Sequence, residues 1–318
     1  MNIFEYLGLP SEHRKGNKVV QLVKHWDEVN KKDMHKKATF PMLAQCKKDG
    51  NFAAVVIEDN EAAIFNRLGS KFTNVEGLEV HLYNQRLTDG VYMAELCSSD
   101  CSLEELSGAV SPVRTKPLLS HQLGVIEGLK LFFFDYISLD DFEKGASSLP
   151  FSERYNELTE RLYHTELDWL DASVVTSIEE VEEFADKMIA NGQEGAVFKP
   201  NVGWLAGAKD WHQMKKVKQI SYDLECIGIE EGTGKYEGKV ANLLFRFKGG
   251  REVKAMLGKG WTHDAAEDLF NLVVDDALGK GSPIGKVFKV YALQESSKGL
   301  LRLPKVGERR DDKCNADF

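Results

Sequence analysis

The segment Cys46-Lys47-Lys48-Asp49-Gly50 lies between two apolar runs, Met42–Cys46 and Phe52–Ile57. Both runs are short and apolar and read as strands. A lysine therefore stands at the end of a covered strand, and Gly50 permits the sharp turn that would present its amine to a bound group. A lysine is protonated in water and is then no nucleophile. Burial, helped by the neighbouring Lys48, is expected to lower the Lys47 pKa and free its lone pair. By itself the tetrad fits a solvated surface turn equally well, so the rest of the chain has to decide.

The pattern around it is mixed. Residues 1 to about 38 read as helical, with an apolar stripe from Val19, Val20, Leu22, Val23, Trp26 and Val29, and Pro41 ends the stretch. Strands are expected at Ala62–Phe65, after a turn at Asp59-Asn60, and at Val91–Leu96, Leu129–Ile137 and Gly195–Lys199. Helices are expected at Phe151–Tyr163 and Ser177–Ala190, the second opened by a Ser177/Glu180 capping box and closed by Asn191-Gly192. From Tyr222 onward the character changes. Leu224–Ile229, Asn242–Phe247, Glu252–Met256 and Val287–Gln294 alternate as strands, with a helix at His263–Leu278 among them. Several short strands with an inserted helix suit a small Greek-key barrel of the oligonucleotide-binding type. The fold class expected is therefore α+β, with a domain at 1–220 followed by a barrel domain at 221–318. A length of 318 residues accommodates both.

The net charge of −9 argues against a generally basic nucleic-acid binder. The charge is uneven, however. Acid gathers at Ser177–Asp186 and Glu225–Glu231, while base gathers at Lys209–Lys218 and Lys298–Lys313, so a local groove can still hold phosphates. Cysteines at 46, 97, 101, 226 and 314 form no zinc spacing and are expected as reduced thiols. No apolar run is long enough to cross a bilayer, and Met1-Asn2-Ile3-Phe4-Glu5 has no cationic signal region. A cytoplasmic protein without membrane contact is the expectation.

Pro41–Gly50 resembles the active-site segment of ATP-dependent DNA ligases, especially the phage type, within the covalent nucleotidyltransferases. Further segments resemble the family's elements in the same order: Asn66-Arg67-Leu68-Gly69, Ala94-Glu95-Leu96, Phe133-Phe134-Asp135-Tyr136, Glu194–Lys199, Leu301-Arg302-Leu303-Pro304 and Arg310-Asp311-Asp312-Lys313. The resemblance runs from about residue 40 to the end. It implies an adenylation domain followed by an OB-fold domain, ATP as cofactor with magnesium or manganese, and a nicked duplex DNA partner for a monomeric enzyme. It also implies roles. Lys47 would carry AMP, with Cys46, Asp49 and Gly50 beside it in the nucleotide site. Arg67 would contact nick and adenylate, Glu95 the ribose, and Phe134 the adenine. Glu194, with Glu95, would hold the metal. Arg310, Asp312 and Lys313 would orient pyrophosphate.

The family's Trp-x-Lys-x-Lys element is matched imperfectly after Trp211. Lys216 and Lys218 fit strand alternation best and are the candidates for phosphate catalysis, while Lys215 fits the distance from Trp211. The register stays open. Phe52 stands where most DNA ligases carry arginine, which puts fine substrate choice in question. Gly232-Thr233-Gly234-Lys235 lacks P-loop spacing and reads as a hairpin turn. The alternative readings are an RNA ligase or other polynucleotide ligase with the same lysyl-AMP chemistry, and a non-catalytic nick-binding module. With no separate DNA-binding domain expected, the loop Ser107–His121 is a candidate clamp for the nick.

Overall fold

The computed structural model describes residues 1–10, 13–14, 19–28, 33–99, 101–258, 260–274, 281–296, 298–313 and 315–318. Val29 of the expected stripe, Cys314 and the end of the expected helix, 275–278, lie outside them. The chain divides into two compact units, Met1–Val217 and Lys218–Phe318.

The first unit holds two sheets of five strands each. One contains β1 (Lys24–His25), β2 (Met42–Lys47), β9 (Ala172–Val175), β10 (Gly195–Pro200) and β12 (Met214–Val217), in the order β1-β12-β10-β2-β9. The other contains β3 (Asn51–Glu58), β4 (Glu61–Asn66), β5 (Gly90–Ser98), β6 (Leu129–Ile137) and β8 (Asp168–Trp169), in the order β4-β3-β5-β6-β8. A short pair joins β7 (Ala146–Ser147) to β11 (Trp204–Leu205).

Alternation explains why these runs become strands. Along β3, Ala53, Val55 and Ile57 enter one core with Tyr92, Phe133 and Leu158, while Ala54 and Val56 enter another with Ile3, Phe4 and Phe65. The β3–β4 turn places Asp59 and Asn60 at positive φ, 50° and 66°, as a two-residue hairpin turn demands. The helix Ile178–Ala190 buries Val181 and Ala185 on Ala44, Ala196 and Phe198. Its start differs from a closed capping box: Ser177 Oγ accepts from Glu180 N at 3.2 Å, but the Glu180 carboxylate accepts from Thr176 N at 2.6 Å.

The expected N-terminal helix is absent from the described part of residues 1–38. Helical residues there are the short α-helices Ile3–Tyr6 and Met34–Lys37 and one 3-10 turn at Trp26–Glu28, and Lys24-His25 instead pairs in parallel with β12. Two apolar residues of the supposed stripe serve separate cores. Val19 packs with Ile3 and Phe4, and Trp26 packs with Met214 and Phe198. No single helix face could satisfy both.

The second unit is a closed barrel of β13 (Ile220–Glu231), β14 (Val240–Phe247), β15 (Arg251–Leu257), β16 (Val287–Ala292) and β17 (Lys305–Arg309), in the order β13-β14-β15-β17-β16. Leu224, Cys226, Leu243, Phe245, Phe288 and Val306 fill it, and Leu269 of the helix His263–Val274 packs on them. Truncating a fully buried phenylalanine such as Phe245 would cost roughly 3–5 kcal/mol. Residues 232–235 lie between β13 and β14, as expected of a hairpin turn. Strand β17 is an addition to the strands expected of the barrel.

A candidate nucleotide-transfer site

Lys47, the last residue of β2, pairs across the ladder with Gly195, the first residue of β10. That register brings its ammonium to the residue before Gly195. Lys47 Nζ donates to Glu194 Oε2 at 2.5 Å and to the Lys48 carbonyl at 3.3 Å. Two glycines make the arrangement possible. A Cβ on Gly195, whose φ is +152°, would stand 2.2 Å from the Lys216 carbonyl, so only glycine lets β12 lie this close to Glu194. A Cβ on Gly50 would stand 2.5 Å from the Leu96 carbonyl and 2.8 Å from Glu95 Cγ. The demand on Gly50 is thus close approach to β5, which brings the Lys47 turn against Glu95.

Electrostatics reverse one expectation. Burial does push the Lys47 pKa down, but Glu194, Glu95 and Asp49 outweigh it and hold the pKa above its ordinary value. The amine is a clamped ammonium. The Glu95 pKa is raised as well, which for a carboxylate favours the neutral form: burial and the Glu194 charge raise it to about 7, against the pull of Lys47. Two crowded carboxylates in a covered site suit a hard divalent cation, which takes oxygen ligands and keeps several waters. Among the described residues no group of three or more His, Cys, Asp or Glu side chains placed to hold a metal ion exists, and Glu95 and Glu194 are the two carboxylates that act most strongly on Lys47.

The lysines of β12 separate by face. Val197 of β10 pairs with Gln45 on one side and Lys215 on the other, so these three share a face of the sheet. Ala196 pairs with Cys46 and Lys216, which share the opposite face, toward the helix Ile178–Ala190. Lys215 accordingly lines a cleft with Gln45, Lys47 and Val197. Lys216, expected at the phosphate, instead pairs with Glu182 and, at 3.4 Å, with Asp27. Burial lowers its pKa less than those carboxylates raise it. Lys218 is exposed and belongs to the second unit. Gln213, which precedes β12, lines the cleft with Lys215.

Phe134 owes its position to a bulge. The β5–β6 ladder pairs Ala94 with Phe133 and Met93 with Asp135, skipping Phe134. A skipped residue re-aims its side chain, a device common beside active sites. Phe133 enters the core beside Tyr92, whereas Phe134 lines the cleft with its ring 6.2 Å from that of Phe52. The Phe134 carbonyl accepts from Gln45 Nε2 at 3.4 Å and Lys199 Nζ at 3.3 Å, tying the two sheets together. Lys199 is 4% exposed and lies 4.7 Å from the Phe134 ring and 4.0 Å from that of Phe151. Behind it, Arg154 grips Asp135 through two hydrogen bonds, 2.9 and 3.1 Å. Burial, with Arg154 nearby, lowers the Lys199 pKa to about 7 despite Asp135.

Arg67 follows β4 in a tight turn built by Asn66, whose Oδ1 accepts from Leu68 N at 2.9 Å and Ser70 N at 3.0 Å. Its side chain is exposed and lines the cleft. Cys46 Sγ donates to Gln193 Oε1 at 3.3 Å, and burial raises its pKa, so it stays a thiol. Cys97 and Cys101 are likewise free, with burial pushing the Cys97 thiol up to about 12. The cleft, of about 290 Å³, also takes in Lys48, Gly50, Glu95 and Leu170.

The remaining predicted residues sit together on the second unit. Arg310 Nη1 donates to both oxygens of Asp223 at 3.1 and 3.0 Å, and Lys313 pairs with the same carboxylate. Arg310 Nε and Nη2 reach Asp312 at 2.9 and 2.7 Å, which lowers the Asp312 pKa to about 2.

Sequence reasoning missed Gln45, Lys199, Gln213 and Asp223. For Lys199 and Gln45 a signal existed, since each is a polar residue at the cleft-facing parity of an otherwise apolar strand. For Asp223 there was none, because its partners lie almost a hundred residues away. The expected clamp, Ser107–His121, takes in the end of the helix Leu103–Ala109, a loop at 110–119 and the start of the helix Ser120–Glu127, and the loop is braced by Arg114, which donates to the carbonyls of Gly108, Lys116 and Pro117. Among the described residues no helix is long and apolar enough to cross a membrane.

A family model described as ATP dependent DNA ligase domain matches residues 21–218, and one described as DNA ligase OB-like domain matches residues 231–310. DNA ligase 1 of Methanosarcina mazei is 30% identical over 164 residues, 47% of this chain and 28% of that protein. A probable DNA ligase of Streptomyces coelicolor is 33% identical over 133 residues, 40% of this chain and 25% of that protein. The matched part of the chain spans between 25% and 40% of the length of such curated relatives. Among solved structures, one named Pmar-Lig_PreS3 superposes with a TM-score of 0.73 at 19% identity, covering 92% of this chain and 68% of that one. A Lig E DNA ligase, described as binding DNA with a minimal scaffold, gives 0.67 at 15% identity, covering 92% and 98%. At these identities the structural likeness speaks for the fold.

Proposed function

We propose, from the premise that the chain belongs to the ATP-dependent DNA ligase family, that it seals 3′-hydroxyl/5′-phosphate nicks in duplex DNA through a lysyl-AMP intermediate. The observation that carries the reading is the contact of Lys47 Nζ with Glu194, 2.5 Å, at a cleft that also holds Phe134, Arg67 and Lys215. In the first step the Lys47 amine attacks the α-phosphorus of ATP. A P–N bond forms, the bond from the α-phosphorus to the bridging oxygen breaks, and pyrophosphate leaves with the electron pair. The AMP then passes to the 5′-phosphate of the nick, and the 3′-hydroxyl displaces it. Positioning and charge stabilisation dominate such transfers.

The residues supply those effects. Phe134 offers a flat face to adenine, and the Lys199–Asp135–Arg154 group behind it keeps that face fixed. Glu95 suits the ribose. Lys215 brings positive charge to the α-phosphate. Lys47 must release its proton to solvent before it can attack, and the charge of Glu194 opposes that release, so neutralising Glu194 favours the nucleophile. A magnesium or manganese ion held by Glu95 and Glu194 would supply that neutralisation and offset the charge of the triphosphate. Arg310 and Lys313 are read as the cations that orient pyrophosphate for departure, with Asp312 beside them. Contacts to the duplex are expected mainly at backbone phosphates, made by a monomer, and therefore salt-sensitive.

The test is sealing of a 5′-labelled nicked duplex with ATP and magnesium, run beside NAD and beside RNA-containing nicks. Sealing of the DNA nick with ATP, lost together with the AMP–protein adduct in Lys47→Ala, is expected. An adduct on Lys47 without DNA sealing would move the acceptor to RNA. An adduct persisting in Lys47→Ala would overturn the assignment of the nucleophile.

A further inference from the structure

Asp223 precedes Leu224, a core residue of the barrel, so alternation along β13 sends it to the outside. An aspartate on an outer face is ordinarily solvated, yet Asp223 is 6% exposed. Both of its side-chain partners, Arg310 and Lys313, come from the segment that follows β17. The backbone of Asp223 is tied to the same stretch: its N–H donates to Asp317 Oδ2 at 2.8 Å, and its carbonyl accepts from Asp317 N at 2.8 Å. Arg310 in turn donates its backbone N–H to the Val287 carbonyl at 2.8 Å.

The two carboxylates on Arg310 are not equivalent. The Asp312 side chain is 65% exposed and that of Asp223 is 8%. An ion pair in water is weak and exchanges readily for another anion. Removing one partner of a covered pair strands the other. The Nε/Nη2 edge of Arg310 can therefore change partner while Nη1 stays on Asp223. Lys313 shares that anchor.

We propose that Asp223 is the positioning residue for pyrophosphate departure: its single covered carboxylate holds Arg310 and Lys313 side by side, so that they meet the triphosphate as a fixed pair. This rests on the reading of those two residues as pyrophosphate-orienting cations given above. The effect is confined to the step in which the P–N bond to Lys47 forms and the bond to the pyrophosphate oxygen breaks. By microscopic reversibility it extends to the reverse step, in which pyrophosphate attacks lysyl-AMP to regenerate ATP and the free amine. Transfer of AMP to the nick and sealing involve no pyrophosphate and are untouched.

The test uses the full chain with Asp223→Asn, Asp223→Glu and the double variant Arg310→Ala/Lys313→Ala. Three reactions are followed: single-turnover lysyl-AMP formation from α-labelled ATP, its discharge by pyrophosphate, and sealing of a pre-adenylated nick without ATP. Asp223→Asn is expected to slow the first two by a common factor, on the order of 10- to 100-fold, as small misplacements of catalytic groups do. Sealing should stay near the parent rate, and Asp223→Glu should recover part of the loss. Equal losses in all three reactions would reduce Asp223 to a structural residue and overturn the proposal, as would unchanged formation and discharge. If the double variant forms lysyl-AMP at the parent rate, the reading of the cations fails. If it is slow while Asp223→Asn is fast, that reading stands and Asp223 alone is dismissed.

Discussion

The Lys47 cleft and the Arg310–Lys313 cluster solve the same problem by different means. In the cleft, functional side chains are placed by strand register and by close backbone approach. Gln45, Val197 and Lys215 share a face because their strands pair in one register, and Lys47 meets Glu194 because it lies opposite Gly195. On the barrel, Arg310 and Lys313 leave a strand end and are placed by charge, converging on Asp223. Register-placed groups are stiff, since moving one moves a ladder. Charge-placed groups are held in position yet free to exchange one partner, which suits the polyphosphate-orienting role proposed for these cations.

The sharpest way to break the first device is Gly50→Ala. An added methyl would collide at once with the Leu96 carbonyl of β5, Cys97 Sγ and the Glu95 side chain. We expect lysyl-AMP formation to fall on the order of 100-fold through misplacement of Lys47 and Glu95, with a stability loss of about 1–3 kcal/mol from overpacking. Single-turnover adenylylation and urea unfolding measure the two. Full activity in a stable Gly50→Ala protein would mean that close approach does not position the nucleophile.

This contrast also explains what the sequence discloses. Strands β3 to β6 were legible because their apolar residues alternate and their turns carry Asp, Asn and Gly. Resemblance of short ordered segments to the ligase family's motifs pointed to Lys47, Glu95, Phe134 and Glu194, since each motif is local. The Phe134 bulge was not legible, because a skipped rung exists only once β5 lies beside β6. The N-terminal segment misled because Val19 and Trp26 have helical spacing yet serve different cores. The Lys47 pKa was misjudged for a related reason: its cationic neighbour is adjacent in sequence, while the two carboxylates that raise it most, Glu194 and Glu95, come from just before β10 and from β5. Asp223 was invisible because charge pairing leaves no periodic trace.

A smaller effect sharpens the register argument. Lys215 and Lys216 are adjacent and chemically identical, and only the face of β12 distinguishes them. Lys215→Ala is expected to slow lysyl-AMP formation about 10- to 100-fold by removing a cation from the phosphate site. Lys216→Ala should leave the rate within about twofold and cost roughly 0.2–1 kcal/mol, the usual worth of a half-exposed pair with Glu182 and Asp27. Comparable rate losses in both would show that the register is not what selects the lysine.

Lys199 tests the comparison from the other side, because it is a charge that register has forced into a covered position. Its folded-state pKa is lowered to about 7 from 10.5, chiefly by burial. Between those values the unfolded chain binds a proton that the folded chain lacks, so stability attributable to this group rises with pH above about 7. Below it both states are protonated, and the folded state carries the full cost of a buried ammonium. Replacing Lys199 by Met removes that dependence and leaves no orphaned anion, since Asp135 keeps both hydrogen bonds from Arg154. The parent should therefore gain about 3 kcal/mol relative to Lys199→Met between pH 6 and pH 9, measured by urea unfolding without nucleotide. A difference that does not change with pH would mean that the amine stays charged in the fold, sustained by Asp135 and the rings of Phe134 and Phe151. In that case charge pairing, not register, would govern this corner of the cleft as it governs the barrel cluster.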